Sequence, residues 1–359
     1  MPPGLRVAAW SVALAAWCGP SRGAATPATP TAALDRSALI AQQLAVVINT
    51  EDPLSVAIGE YYIRQRHVPL RNVSRVAFNF RRSILPAAEF ARLKLAVDAQ
   101  LPPTVQAYAL TWARPYRVDC MSITSAFAFG FDTRFCAEGC QATQLSRYYD
   151  SSSTAPYSQL HLRPTMSIAA ANFEAARRLI DRGVRSDGSA PPGTAYLLVS
   201  GDTARDVRRD GYGDVQMLVT GRIRVQVLSA PELRGSSDVM AYFIGASQVG
   251  ALGSLRFLPG SVADHLTSFG GMLTDSTQMS SLRWLEAGAT GSYGTVVEPC
   301  NLTAKFPNPA LLLNHYLAGE TLIEAYWKSV AMPGQGIFIG EPLAAPYRRS
   351  ATSREYVSH

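Results

Sequence analysis

Strand-length apolar runs that alternate with helical faces narrow the folds open to this chain more than any other feature. Leu44 to Ile48 is a continuous apolar run, and Asn49-Thr50-Glu51-Asp52 leads from it into Pro53. Asp52 is placed to cap a helix, Pro53 suits its first position, and Leu54, Ala57, Ile58, Tyr61 and Tyr62 share one face. A second strand is expected at Arg75 to Phe80, a helix opened by Pro86 with Phe90, Leu93, Val97 and Leu101 inward, and a third strand at Val105 to Thr111. Strand, helix and strand at this spacing read as right-handed βαβ units around a largely parallel sheet.

Pro115 to Pro164 breaks the rhythm. It holds Cys120, Cys136 and Cys140 and the polar run Tyr148 to Thr154, and it is expected as a disulfide-tied insertion, near 115–164, on the sheet's edge. Regularity returns with a helix from Ala169 to Arg182, a strand at Ala195 to Ser200, and apolar runs at Val215 to Val219, Ile223 to Leu228 and Val239 to Ile244. Beyond them come a strand at Val262 to Thr267, a helix at Gln278 to Ala287, a strand at Gly294 to Val297, helices at Pro309 to Tyr316 and Gly319 to Val330, and a strand at Gly336 to Ile339. The fold class is α/β, a largely parallel sheet with flanking helices. No internal repeat is visible. One large domain, or two tightly joined α/β regions at 39–235 and 236–345 followed by a polar tail at 346–359, fit the length equally well.

The N-terminus directs the chain out of the cytoplasm. Leu5 to Trp17 is apolar with Arg6 its only charge, and Cys18-Gly19-Pro20 and Gly23-Ala24-Ala25 follow. Basic start, short apolar core and small-residue exit make residues 1–25 a cleavable signal peptide, with a flexible Thr/Pro/Ala leader at 26–38. The stretch falls short of the roughly 20 apolar residues that span a bilayer, and no later run reaches that length. A secreted or periplasmic protein with no transmembrane segment is expected; bulky Trp17 before Cys18 disfavours a lipoprotein. Cleavage removes Arg6 and Arg22 and lowers the formal charge of +6 by two. The remaining charge is mildly basic and evenly spread, with no cluster beside interleaved aromatics, which excludes an electrostatic footprint for nucleic acid. Cys18 leaves with the signal, so Cys120, Cys136, Cys140 and Cys300 remain. An even count in an oxidising compartment favours disulfides, with pairing open. Cys136-x3-Cys140 has no second close pair and no His at ligand spacing, so neither a metal nor any other cofactor is expected.

Two stretches carry residues able to do chemistry. Ser261 to Gly271 is a strand ending in hydroxyls and paired glycines, and open α/β sheets place their ligand crevices at such carboxyl ends. There Ser268 is a candidate nucleophile, His265 and Asp264 its candidate partners, and Gly270 and Gly271 candidate oxyanion donors. Strand parity sets His265 against Ser268 unless the strand ends between them. The competing reading makes Ser268 a turn residue and His265 hydrogen-bonded structure. In the second stretch, Glu298 and Cys300 stand at another strand exit, where a carboxylate and a thiol can meet the 261–271 tip. Cys300 acts as a nucleophile only beside a group favouring thiolate, and as a disulfide partner not at all. Asp202, Asp206, Asp210 and Asp214 recur every fourth residue, unlike a calcium loop. With Arg205, Arg208 and Arg209 among them, a salt-bridged surface is expected. His67, His161 and His315 stand alone in the sequence.

The last third resembles the caspase-like fold of gingipain-type peptidases. The likeness rests on the strand to Gly245, Ala263 to Gly271, Ala287 to Ser292, Leu317 to Tyr326 and Ile339-Gly-Glu-Pro-Leu343. Peptidases of that fold carry a His-Gly at the end of one strand and a Cys at the end of the next. Gly245-Ala246-Ser247 and Thr267-Ser268 occupy those places here, so neither catalytic residue carries over. The mature chain as a whole, including Asp52-x2-Ser55, Cys120 to Ser125 and Glu298 to Asn301, resembles a secreted bacterial family. That family accompanies exosortase, a membrane enzyme that sorts proteins with a C-terminal Pro-Glu-Pro signal. The resemblance implies a place in envelope or exopolysaccharide biology, with a protein or polysaccharide partner, and it implies no reaction. The polar end from Arg348 to His359 is not expected to be a sorting signal. Two functions follow as expectations. One is a binding or accessory protein on a caspase-like frame. The other is a hydrolase of peptidase or esterase type using Ser268 or Cys300 with His265 or Glu298.

Overall fold

A computed structural model describes residues 38–137 and 139–349; the expected signal peptide, almost all of the expected leader and the last residues of the expected tail lie outside the described residues. Down the chain, β1 (Leu44–Asn49) is followed by α1 (Pro53–Arg66), β2 (Val73–Val76), β3 (Ile84–Leu85), α2 (Ala87–Gln100) and β4 (Ala107–Leu110). Helix α1 begins as its sequence directs, with Pro53 in the first turn and the Asp52 carboxylate accepting from the Leu54 amide at 2.9 Å. Strand β2 stops short of the expected Phe80. The Asn49 carboxamide accepts from the Phe78 amide at 3.2 Å and donates to its carbonyl at 3.0 Å, so a side chain replaces the ladder there.

The insertion supplies β5 (Arg117–Val118) and β6 (Met121–Ser122), which join β3 in a small sheet, then α3 (Ile123–Phe129) and α4 (Pro156–Leu160), before β7 (Thr165–Ser167). It does not lie on the sheet's edge as expected. Helix α3 is buried from Ile123 to Ala128 and packs across β4 and β7, in the middle of the large sheet. Its apolar composition leaves it no solvent-facing stripe, which only a central site can satisfy.

The second half contains α5 (Phe173–Ser186), β8 (Thr194–Val199), α6 (Tyr212–Val219), β9 (Arg224–Ser229), β10 (Val239–Gly245) and β11 (Phe257–Leu266). It continues with α7 (Leu282–Ala287), β12 (Gly291–Thr295), α8 (Pro309–Leu317), α9 (Leu322–Lys328) and β13 (Gly336–Gly340). Helix α5 starts at Phe173 rather than Ala169, where the Asn172 side chain caps the Ala175 amide at 3.0 Å. The apolar run Val215 to Val219 is part of helix α6: Tyr212, Val215 and Val219 are buried at helical spacing.

One ten-stranded sheet runs β2-β1-β4-β7-β13-β12-β11-β10-β8-β9. Every pairing in it is parallel except β12 with β13. The fold is therefore α/β with a largely parallel sheet flanked by helices. Its order contains a repetition invisible in the sequence. In each half the first strand (β1, β8) sits inside the second (β2, β9), and later strands add on the other side. The halves meet at β13, parallel to β7 and antiparallel to β12, so their strands run in opposite directions and their carboxyl ends open on opposite edges of the sheet.

Side chains of the second half alternate between two cores. Ala241 and Phe243 face the large core shared with β1, β4 and the helices, while Tyr242 and Ile244 face a smaller one built around Trp284. Among the buried charges, Lys328 pairs with Glu320 at 2.8 Å, and Glu320 in turn meets His315 Nδ1 at 3.1 Å. His315 Nε2 reaches Asp150 of the insertion at 3.0 Å. The histidine isolated in the sequence thus ties α8 to the insertion and to α9.

Gly336 opens β13 against the Tyr293 ring, and a Cβ there would overlap the Tyr293 hydroxyl. Gly336→Ala is expected to lower stability by about 2–3 kcal/mol through overpacking at the junction of the two halves. Urea unfolding would check this: a midpoint unchanged from wild type would mean that β13 has slack this packing denies.

Candidate functional site

Strand β11 ends at Leu266, so the chain bends between His265 and Ser268. Its last residues face opposite ways, as β parity requires. Asp264 lies beside Phe243 and pairs with Arg208 at 2.6 Å. Arg208 also donates to the Ile244 carbonyl at 3.0 Å. Burial pushes the Asp264 carboxyl upward, against the pull of Arg208. His265 lies beside Ile244 in the smaller core and is 1% exposed. The Trp284 indole N–H can only donate, and it donates to His265 Nδ1 at 2.9 Å. The Met279 carbonyl can only accept, and it lies 3.0 Å from Nε2. These two partners hold the neutral Nε2–H tautomer. Burial holds its pKa down at about 4, helped by the nearby Arg208 charge and opposed by the Met279 hydrogen bond.

The loop after β11 is clamped from two sides. Gln278 Oε1 accepts from the Thr267 hydroxyl and from the Phe269 amide, each at 2.8 Å. The Thr295 hydroxyl donates to the carbonyls of Thr267 and Ser268 at 3.0 and 2.8 Å. Because Gln278 serves this loop, the helix expected from it starts only at Leu282. The Gly271 amide donates to the Thr295 carbonyl at 2.9 Å and is not available to an oxyanion. Ser268 keeps its hydroxyl free of hydrogen bonds among the described residues.

Ser268 borders a pocket of about 60 Å³, together with Arg205, Leu266, Thr267, Glu298, Cys300 and Asn301. Of the four residues singled out in the sequence, the fold gathers Ser268, Glu298 and Cys300 here and leaves His265 in the core. Cys300 is joined to Cys140 with the Cα atoms 5.2 Å apart, and Cys120 to Cys136 at 5.5 Å, so its sulfur carries no thiolate. Glu298 accepts from the Cys300 amide at 2.8 Å. Arg205 approaches Thr267 at 3.3 Å and pairs with Asp202 at 2.7 Å. A second cavity, of about 10 Å³ among Ala169, Ala170, Leu179 and Leu282, is apolar and offers no chemistry.

The acidic run is in part the salt-bridged surface expected, Asp202 pairing with Arg205 and Asp210 with Arg209, but its middle does different work. Asp206 and Arg208 are buried. The Asp206 carboxylate accepts from the Ser200 amide and hydroxyl at 3.0 Å each and from the Gly201 amide at 2.7 Å. It fills the carboxyl end of β8, beside the point where the strand order reverses and open α/β sheets usually bind ligands. A Cβ on Gly245, at the end of β10, would overlap the Arg205 carbonyl, so the loop lies directly on that strand end. The open pocket is thereby displaced toward β11 and β12. Thr267 and Asn301 lay within the stretches singled out in the sequence without a role of their own, and Arg205 was read there only as a partner of the acidic run; it stands in the loop that follows β8.

No protein-family model matches the chain, and no curated protein matches it. A solved structure described as "Structure of Protease" is similar with a TM-score of 0.42 and 12% identity, over 86% of this chain and 79% of that one.

His265 makes stability pH-dependent. In the unfolded chain it takes a proton near pH 6.5, whereas the folded chain resists protonation until about 4. The unfolded state therefore holds more protons between those values, and stability falls as pH drops through that window, by about 3 kcal/mol for this group. His265→Gln, which keeps an acceptor for Trp284 and a donor for Met279, is expected to remove this part of the slope. Urea unfolding at a series of pH values between 8 and 4 would measure it; an unchanged slope would place the acid sensitivity elsewhere.

Proposed function

We propose that this is an exported, envelope-associated protein whose caspase-like frame binds a partner at the pocket of Arg205, Ser268, Glu298 and Asn301 without cleaving it. The observation that carries the reading is the placement of His265. A serine becomes a nucleophile through a base within hydrogen-bond reach, and the imidazole nearest in sequence is spent on Trp284 and Met279. Cys300, the other nucleophile candidate, is held in a disulfide. The resemblance to gingipain-type peptidases supports the frame: β10 and β11 are parallel neighbours, with Gly245-Ala246-Ser247 and Thr267-Ser268 at their ends where His and Cys are expected.

The pocket sets the scale of what is bound. About 60 Å³ holds a few water molecules, far below the several hundred Å³ of a site that engulfs a small-molecule ligand. A polar side chain or the hydroxyl edge of a sugar is the fitting occupant, held by a guanidinium, a hydroxyl and a carboxylate at the surface of a larger protein or polysaccharide. Two disulfides suit an oxidising compartment. Among the described residues no helix is long and apolar enough to cross a membrane.

A fluorophosphonate probe is expected to label wild type no more than Ser268→Ala, while the wild-type chain is retained by the envelope fraction. Ser268→Trp, which fills the pocket, is expected to lose most of that retention at unchanged thermal stability. Labelling that depends on Ser268 would instead establish the hydrolase.

A further inference from the structure

The two disulfides stand in different surroundings. Cys120 and Cys136 are half-buried and pack against the large core. Cys140 is exposed, Cys300 is half-buried at the rim of the pocket, and neither packs into a core. The turns that carry this second pair are poor in hydrogen bonds. Among the described residues none involves Gly139, Cys140, Gln141 or Ala142. On the other side, the Glu298 carbonyl is anchored by the Gln335 side chain at 3.0 Å, and the next anchor is the Leu302 carbonyl, which accepts from the Lys305 amide at 2.9 Å. Between those anchors Pro299 has no N–H to give, Asn301 makes no hydrogen bond among the described residues, and the Cys300 amide donates only to the adjacent Glu298 side chain at 2.8 Å. Cys300 nevertheless holds a left-handed backbone with φ of 52°, which a residue other than glycine adopts at a cost.

We propose that Cys140–Cys300 is a thiol–disulfide exchange site through which a dithiol reductant remodels the pocket wall; that this controls binding rests on the reading of the pocket given above. An exposed disulfide is the one an external thiolate reaches, whereas a disulfide packed on a core is shielded. The incoming thiolate attacks the Cys140 sulfur, the bond to Cys300 breaks, and Cys300 leaves with the electron pair and takes up a proton. The second thiol of the reductant then displaces Cys140 in the same way, so that the dithiol is oxidised to a disulfide and the protein gains two thiols. With the cross-link gone, only the Glu298 side chain holds Cys300 at its left-handed φ. The 299–301 turn relaxes to ordinary backbone, and Asn301 and the Glu298 contact leave their places at the pocket. Cys120–Cys136 stays closed beneath α3, so the change is confined to the wall and the fold persists.

Equilibrating the native full chain with graded ratios of reduced to oxidised dithiothreitol, then alkylating and reading the four cysteines by mass spectrometry, tests the site. Cys140 and Cys300 are expected to be alkylated at a ratio roughly tenfold less reducing than Cys120 and Cys136 require. Amide hydrogen exchange at Cys300 and Asn301 is expected to quicken about tenfold in that half-reduced form, with β12 still protected. Cys140→Ser is expected to show the same exchange without reductant, and to lose most of the retention by the envelope fraction that the oxidised wild type shows. Opening of Cys120–Cys136 first or together with Cys140–Cys300, or exchange at Cys300 and Asn301 that does not change on reduction, would overturn the proposal. Failure of the oxidised wild type to be retained would sink the binding reading alone, since the alkylation order and the exchange rates decide the switch without it.

Discussion

The architecture depends on a single strand that must satisfy two neighbours running in opposite senses. Strand β13 is parallel to β7 and antiparallel to β12, and it is buried throughout. Two half-sheets whose strands run in opposite senses become one sheet at this strand. Its composition follows: Gly336 lies against the Tyr293 ring, Gly340 adopts φ of 149°, and the Phe338 ring stacks on Trp327 at 4.4 Å between centroids. The insertion places α3 over this same junction, with the hydroxyls of Ser122 and Thr124 both donating to the Gly336 carbonyl. The element that looks like an excursion in the sequence is a clamp on the seam.

Because the halves run in opposite directions, the second half has a carboxyl-end rim of its own, and the chemistry of that rim is decided by what fills it. Asp206 takes the position of a bound anion at the end of β8, and Arg208 enters the core to meet Asp264. A buried pair of this kind adds little stability over an apolar pair, yet losing one partner would strand a charge. Its effect is positional: it pins the 200–211 loop across the strand ends, beside the pocket at Ser268. The disulfide from Cys140 to Cys300 fixes the other wall. The rim thus presents a few polar groups from a loop clamped by Gln278 and Thr295 and a wall tied by a disulfide.

Much of the fold was legible before any coordinates. The α1 cap at Asp52-Pro53, the strands around Leu44, Ala195, Val239 and Val262, and the parity that separates His265 from Asp264 all follow from local rules. Disulfide formation was legible from the count, though the partners were not: Cys140 meets Cys300 across a separation of 160 residues, which no spacing reveals. Boundaries were misjudged where a distant side chain replaced a backbone partner, as Asn49 does for Phe78 and Gln278 for the Thr267 loop. The acidic run after Gly201 misled for a related reason. Asp and Arg at close spacing look solvated until the fold shows which of them faces the core.

What the sequence determined by itself is the class of element at each stretch, the α/β pairing of strand with helix, and the list of residues able to do chemistry. These depend on periodicity and capping within a dozen residues. The tertiary structure alone decided which of those residues meet. It set Ser268, Glu298 and Cys300 around one pocket, withdrew His265 into a core with Trp284, and joined two windings that share a strand order but no visible sequence repeat. The physical reason is that strand order is fixed by crossovers and burial summed over the whole chain, and many different side chains satisfy the same sum.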